Sequence, residues 1–127
     1  MSTITVTNIK ATGETASRSA TSVAAVIVRY NMSGVIQGTS INVSSITDSS
    51  SGRQSVHFTN VFSDANYVCL ATATDTLGAS NHGMIVNQDN ASTVSSSETR
   101  IGIVDGDDGN TYSDAEFASV SLFGALA

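Results

Sequence analysis

No stretch of this chain restricts its fold more than Ile41 to Tyr67, which reads INVSSITDSSSGRQSVHFTNVFSDANY. Two alternating runs flank a Ser/Gly turn. Ile41, Val43 and Ser45 fall on one side of the first run, and Asn42, Ser44 and Ile46 on the other. Val56 and Phe58 share a side of the second run, opposite Ser55, His57 and Thr59. Successive side chains leave a strand on opposite faces, so a period of two predicts strands. Asp48 to Gly52 (DSSSG) has turn chemistry: short side-chain oxygens that bond nearby backbone, and a glycine free to take positive φ. The stretch predicts a β-hairpin, and its neighbours are laid out around it.

Before the hairpin, Val23 to Asn31 (VAAVIVRYN) predicts a strand with Val26, Val28 and Tyr30 on one face and Ile27 and Arg29 on the other. Apolar groups on both faces suit a central strand or a subunit contact, so Val26, Ile27 and Val28 are the candidate interface. Asn31 to Gly38 holds two glycines and predicts a turn. After the hairpin, Asn66 to Thr74 predicts a strand whose Tyr67, Cys69, Ala71 and Ala73 face a close-packed layer. Short strands follow at Met84 to Asn87, within Ser92 to Val104, and at Ala115 to Phe123, separated by turns that include DGDDGN at Asp105 to Asn110. No segment has the 3.6-residue period of a helix. Seven or eight short strands with regular turn signals predict an all-β fold, an antiparallel β-sandwich or small jelly roll. Its expected core is Val26, Val28, Val43, Val56, Phe58, Tyr67, Cys69, Ile101, Ile103 and Phe123.

The N-terminal part differs. Thr3 to Ile9 alternates Ile4 and Val6 among threonines, and Lys10 to Ser22 (KATGETASRSATS) has almost nothing to bury. Residues 1–22 therefore read as an extended arm and linker, and 23–127 as the β domain. Three large apolar side chains, Ile4, Val6 and Ile9, cannot stabilise a separate domain. They can add a strand to another protein's sheet edge, which makes them the candidate attachment residues.

Serine and threonine exceed a quarter of the chain, which favours strands with one solvated face. Hydrophobic content of 40% argues against disorder. No apolar run approaches the roughly 18 residues of a membrane span, and no signal-peptide core is visible, so no membrane contact is expected. Proline is absent, so strand edges need another protection such as oligomerisation. Most of the net charge of −6 is local: Asp105 to Glu116 carries five acids and no base. A chain without a basic patch is not expected to bind nucleic acid.

Few residues suggest chemistry. Cys69 is the one cysteine and sits in the apolar run YVCLA, so it reads as a small buried hydrophobe. His57 and His82 are the only bases available to it. Ser55 and His57 share a strand face, but no orienting acid or oxyanion donor is apparent. Asp105 and Glu116 have the first-to-twelfth spacing of a calcium loop, yet Gly109 and Asn110 stand where a ligand and the glycine belong. The loop reads as a solvated acidic hairpin, and no metal or other cofactor is expected. Asn31, Asn42 and Asn90 head Asn-x-Ser triplets that a serine-rich chain produces by chance. Loops rich in Ser, Asn, Asp and Gly, with Tyr30, Tyr67 and Tyr112, suit carbohydrate contact.

The run GTSINVSSITDSSSGRQSVHFTNVFSDANYVCLATA resembles a β-rich domain recurring in virion proteins of tailed bacteriophages, many of them called tail fibres. The residues that carry the resemblance are Asn42 to Asp48, Gly52, Val56 with Phe58, and Ala65 to Tyr67, with VIVRYNMSGV as lead-in and SVSLFGA as closing strand. It spans about half the chain. Ser49 to Arg53 and Gln54 to Val56 depart from the family's usual residues in the turn and on the surface, not in the strand pattern. The resemblance implies a non-enzymatic structural protein at the virion surface, of tail-fibre or receptor-binding type. It implies a homotrimer that contacts other virion proteins and a host cell-surface glycan. A capsid decoration protein stabilising the head is the alternative, favoured at this length by the lack of a shaft.

Overall fold

The computed structural model describes residues 6–9, 18–19, 23–74, 84–89, 95–106 and 111–127. These residues contain no helix. The strands are β1 (Asn8–Ile9), β2 (Arg18–Ser19), β3 (Val26–Asn31), β4 (Val43–Ser50), β5 (Arg53–Phe58), β6 (Val68–Thr74), β7 (Met84–Gln88), β8 (Glu98–Asp105), β9 (Thr111–Tyr112) and β10 (Phe117–Phe123). The protein is all-β, with two antiparallel sheets packed face to face. One has the order β3-β10-β6. The other has the order β4-β5-β8-β7, with β9 beside β8. β1 and β2 form a separate two-residue ladder, Asn8 with Ser19 and Ile9 with Arg18. The segment read as arm and linker thus pairs with itself at these residues.

Alternation sets the core. In β3, Val26, Val28 and Tyr30 point inward. In β5, Gln54, Val56 and Phe58 do so, and in β8 Thr99, Ile101 and Ile103. Cys69, Ala71 and Ala73 of β6 lie against this core, partly buried. Their small size lets β6 sit close to the opposite sheet.

Two expectations about facing are corrected. In β4, Val43 pairs with Phe58 and Ser45 with His57, so a bulge falls between them. The extra residue resets the alternation, and Val43 and Ile46 both pack on the core. In β10, Ala118, Val120 and Leu122 are buried and Phe123 is on the outer side, only partly covered. Phe123 was expected inside. The face with Val120 and Leu122 fills the core because these residues pair side by side with Ala71, Cys69, Val28 and Val26, which also face inward.

Buried hydroxyls give the fold a pH limit. The Tyr30 side chain is fully buried, and burial, with a smaller effect of Cys69, pushes its phenol well above the ordinary value of 10.0. Burial also raises Tyr67, partly offset by hydrogen bonding to Thr99 and Gln88. A group whose folded value is raised contributes stability in full below its unfolded value and loses it as pH rises beyond. Stability is therefore expected to be undiminished by these groups up to about pH 10 and to fall above it. Denaturant midpoints measured from pH 8 upward, with tyrosinate absorbance, check this. Two of the three tyrosines should ionise together with unfolding.

Candidate functional site

The outer face of the five-stranded sheet holds the most organised polar chemistry. Its outward residues are those that alternate with the core: Arg53, Ser55 and His57 of β5, and Glu98, Arg100 and Gly102 of β8. His57 Nδ1 lies 2.8 Å from Glu98 Oε2, and His57 Nε2 lies 2.9 Å from the Thr47 hydroxyl. With Nδ1 protonated toward the carboxylate, the Thr47 hydroxyl donates to Nε2. This is the connectivity of a hydroxyl–imidazole–carboxylate relay. Its setting is an open sheet surface whose strands are paired in register through Thr47, Ser55, His57 and Glu98. Backbone N–H groups held in a ladder offer nothing to a developing oxyanion, and Thr47 is exposed. The three side chains form a cross-strand seam.

A second cluster lies further along the same face. The Arg53 guanidinium sits 3.7 Å from the centroid of Tyr112, and its Nε is 3.2 Å from Asp89 Oδ2, an ion pair off hydrogen-bond alignment. Asp89 is buried, and its backbone N–H donates to Arg100 O. Gly102 makes the room: a Cβ there would meet Asn87 Oδ1 at 2.5 Å and Tyr112 Cε1 at 2.9 Å. This cluster is invisible in the sequence, because Arg53, Asp89 and Tyr112 meet only where β5, β7 and β9 all pair with β8.

The expected sites fall as follows. Val26 and Val28 lie in the chain's own core, so of the three candidate interface residues only Ile27, 39% exposed, has surface to offer a neighbour. Val6 is half exposed, Ile9 is paired in β1, and Ile4 lies outside the described residues. Tyr30 and Tyr67 are buried and Tyr112 is covered by Arg53, so none of them is an open platform for a sugar. The Tyr67 hydroxyl donates to the Ser95 and Glu98 carbonyls instead. Cys69 faces the core from one sheet while His57 faces outward from the other, so the two do not meet; burial raises the thiol's pKa. His82, Asn90, Asp107 and Asp108 lie outside the described residues.

The acidic segment is divided between the sheets. Asp105 ends β8 opposite Met84 and Thr111, while the Glu116 N–H donates to Thr74 O beside the start of β10. Asp114 Oδ1 accepts the Gly52 N–H at 2.6 Å and so holds the β4–β5 turn. Among the described residues, no three His, Cys, Asp or Glu side chains are grouped to hold a metal.

No protein-family model, curated protein or solved structure matches this chain. The residues behind the phage resemblance have clear structural tasks. Asn42 takes φ 57° and clamps the strand ends: its Oδ1 accepts the Asn60 N–H at 2.7 Å, and its Nδ2 donates to Asn60 O at 2.9 Å. Gly52 turns the hairpin at φ 65°, and Phe58 and Tyr67 join the aromatic core.

Proposed function

We propose that this protein is a non-enzymatic structural protein exposed at the surface of a tailed-bacteriophage virion, of tail-fibre or receptor-binding type. The observation that carries the reading is the Asn42-to-Tyr67 run. Its resemblance to a virion domain resides in the clamp, turn and aromatic residues that build the β4–β5 hairpin. An all-β sandwich agrees with the fold that resemblance implies. The polar outer face of the five-stranded sheet supports a role in contact rather than catalysis. A host glycan would be read there by hydroxyl, amide and carboxylate groups, without stacking on the three tyrosines.

In this reading the protein is a homo-oligomer, a trimer by the family resemblance, and it touches other virion proteins through its N-terminal segment. The exposed Val6, with Ile4 and Ile9, would add main-chain hydrogen bonds to a neighbour's sheet edge. The β1–β2 ladder stands apart from both sandwich sheets, so the segment can be given up without breaking either of them. That separateness also favours a second reading, a capsid decoration protein whose arms lie across capsomer joints.

Deleting residues 2–20 tests the attachment. The shortened protein is expected to keep its β-sheet circular dichroism and its cooperative unfolding but to be missing from purified particles. Wild-type occupancy of the shortened protein would place attachment in the β domain.

A further inference from the structure

The two outer faces of the sandwich differ in kind. The five-stranded face carries the polar contacts described above. The three-stranded face carries exposed apolar side chains. Along one row of that sheet, Leu70 pairs with Ser121, Ser121 pairs with Ile27, and Ile27 bridges to Ile41. Leu70 is 59% exposed and Ile41 49%. At the end of β6, Val68, 60% exposed, stands opposite Phe123. Single exposed apolar residues are ordinary, but several grouped on one sheet face mark an interaction surface. The group has a border: the row on its other side is Thr72, Ser119 and Arg29, whose guanidinium lies over Phe117 at 4.3 Å.

Shape and charge indicate the occupant. Leu70, Ala71, Thr72, Ser119 and Ser121 line a shallow depression of about 390 Å³. Leu70 is exposed and helps to line this depression together with the two serines, so the surface offers both an exposed apolar side chain and a hollow. A second copy presents the same two features. Residues 65–74 and 117–127, which build most of the face, contain no charged side chain in a chain of net charge −6. Two copies can meet here without opposing their like charges, whereas a charged partner finds nothing on β6 and β10 to pair with. We infer that this face is the contact between copies of the chain, with Leu70 of one copy seated in the Ser119–Ser121 hollow of the next. The inference deepens the self-association proposed above and rests on that part of it.

Sedimentation of the full chain at micromolar concentration tests it. The wild type is expected at a multiple of 13.0 kDa and Leu70→Lys at 13.0 kDa alone. Ile27→Lys, at the other end of the row, should do the same. Both side chains are exposed, so circular dichroism should show the sheets intact. Ser49→Lys, exposed on the opposite sheet, should keep the wild-type mass. A wild type at 13.0 kDa would overturn both the contact and the self-association. An assembly that survives both Leu70→Lys and Ile27→Lys would overturn this face alone.

Discussion

Phe62→Ala is expected to destabilise the protein by about 3–5 kcal/mol, the usual cost of removing a fully buried aromatic ring. Phe62 is 1% exposed although it lies between strands. Its ring meets Phe58 edge-on at 5.1 Å and lies tilted against Tyr67 at 4.6 Å, while Phe58 and Tyr67 meet edge-on at 5.8 Å. Deleting the Phe62 ring removes its own burial and the contact each of the other two makes with it. The backbone cannot follow the ring inward to close the gap. The Phe62 N–H donates to Ser96 O, Ser63 N–H to Ala125 O and Ala127 N–H to Val61 O, so the segment is tied to both sides. A domain of this size has roughly 5–15 kcal/mol in total, so the variant should lose a large part of it. Denaturant unfolding gives the number, and a loss below about 1 kcal/mol would mean that the site collapses freely.

Gly52→Ala should have a comparable effect for a different reason. At φ 65° an alanine is strained whatever its surroundings. Its Cβ would also stand 2.5 Å from Ile103 O, 2.6 Å from Ser113 N and 2.8 Å from Ser113 O. Those are backbone atoms held by their own bonds: Ile103 N–H donates to Gly52 O at 2.7 Å, and Ser113 N–H to Ile103 O at 3.1 Å. Strain and crowding together should cost roughly 2–5 kcal/mol. Gly38→Ala is the control. It has φ 79° and nothing within 4 Å of the added carbon, so only the backbone cost of about 1–2 kcal/mol applies. Equal losses at the two positions would refute the close approach of the Gly52 turn to Ile103 and Ser113.

The strands were legible because alternation is a local property. β3, β5, β6, β7 and β8 appear where period two places them, and Val26, Val28, Val56, Phe58, Tyr67, Ile101 and Ile103 are buried as expected. What depended on pairing was hidden. The β4 bulge leaves no mark in Asn42 to Ile46, since an extra residue is defined only against the partner strand. Phe62 is flanked by Val61 and Ser63 with no period to place it, and it is buried because the chain end and Ser96 enclose it. Gln54, expected at the surface, and the polar Thr99 are fully buried, carried inward by the register of Val56 and Ile101. The Thr47–His57–Glu98 seam joins three strands, and the sequence offered only Ser55 as a neighbour for His57. Of the apolar outer face, Ile27 was visible as the odd apolar residue on the polar side of its strand. Its alignment with Leu70 and Ile41 required the sheet order.

The proposal that this protein belongs to the surface of a virion is tested most directly by locating it on purified particles with a labelled antibody under the electron microscope. Label is expected at the distal end of the tail, on intact and accessible particles. Label spread over the icosahedral faces would select the decoration protein instead. Particles that carry no label, while the protein is abundant in the infected cell, would contradict the account.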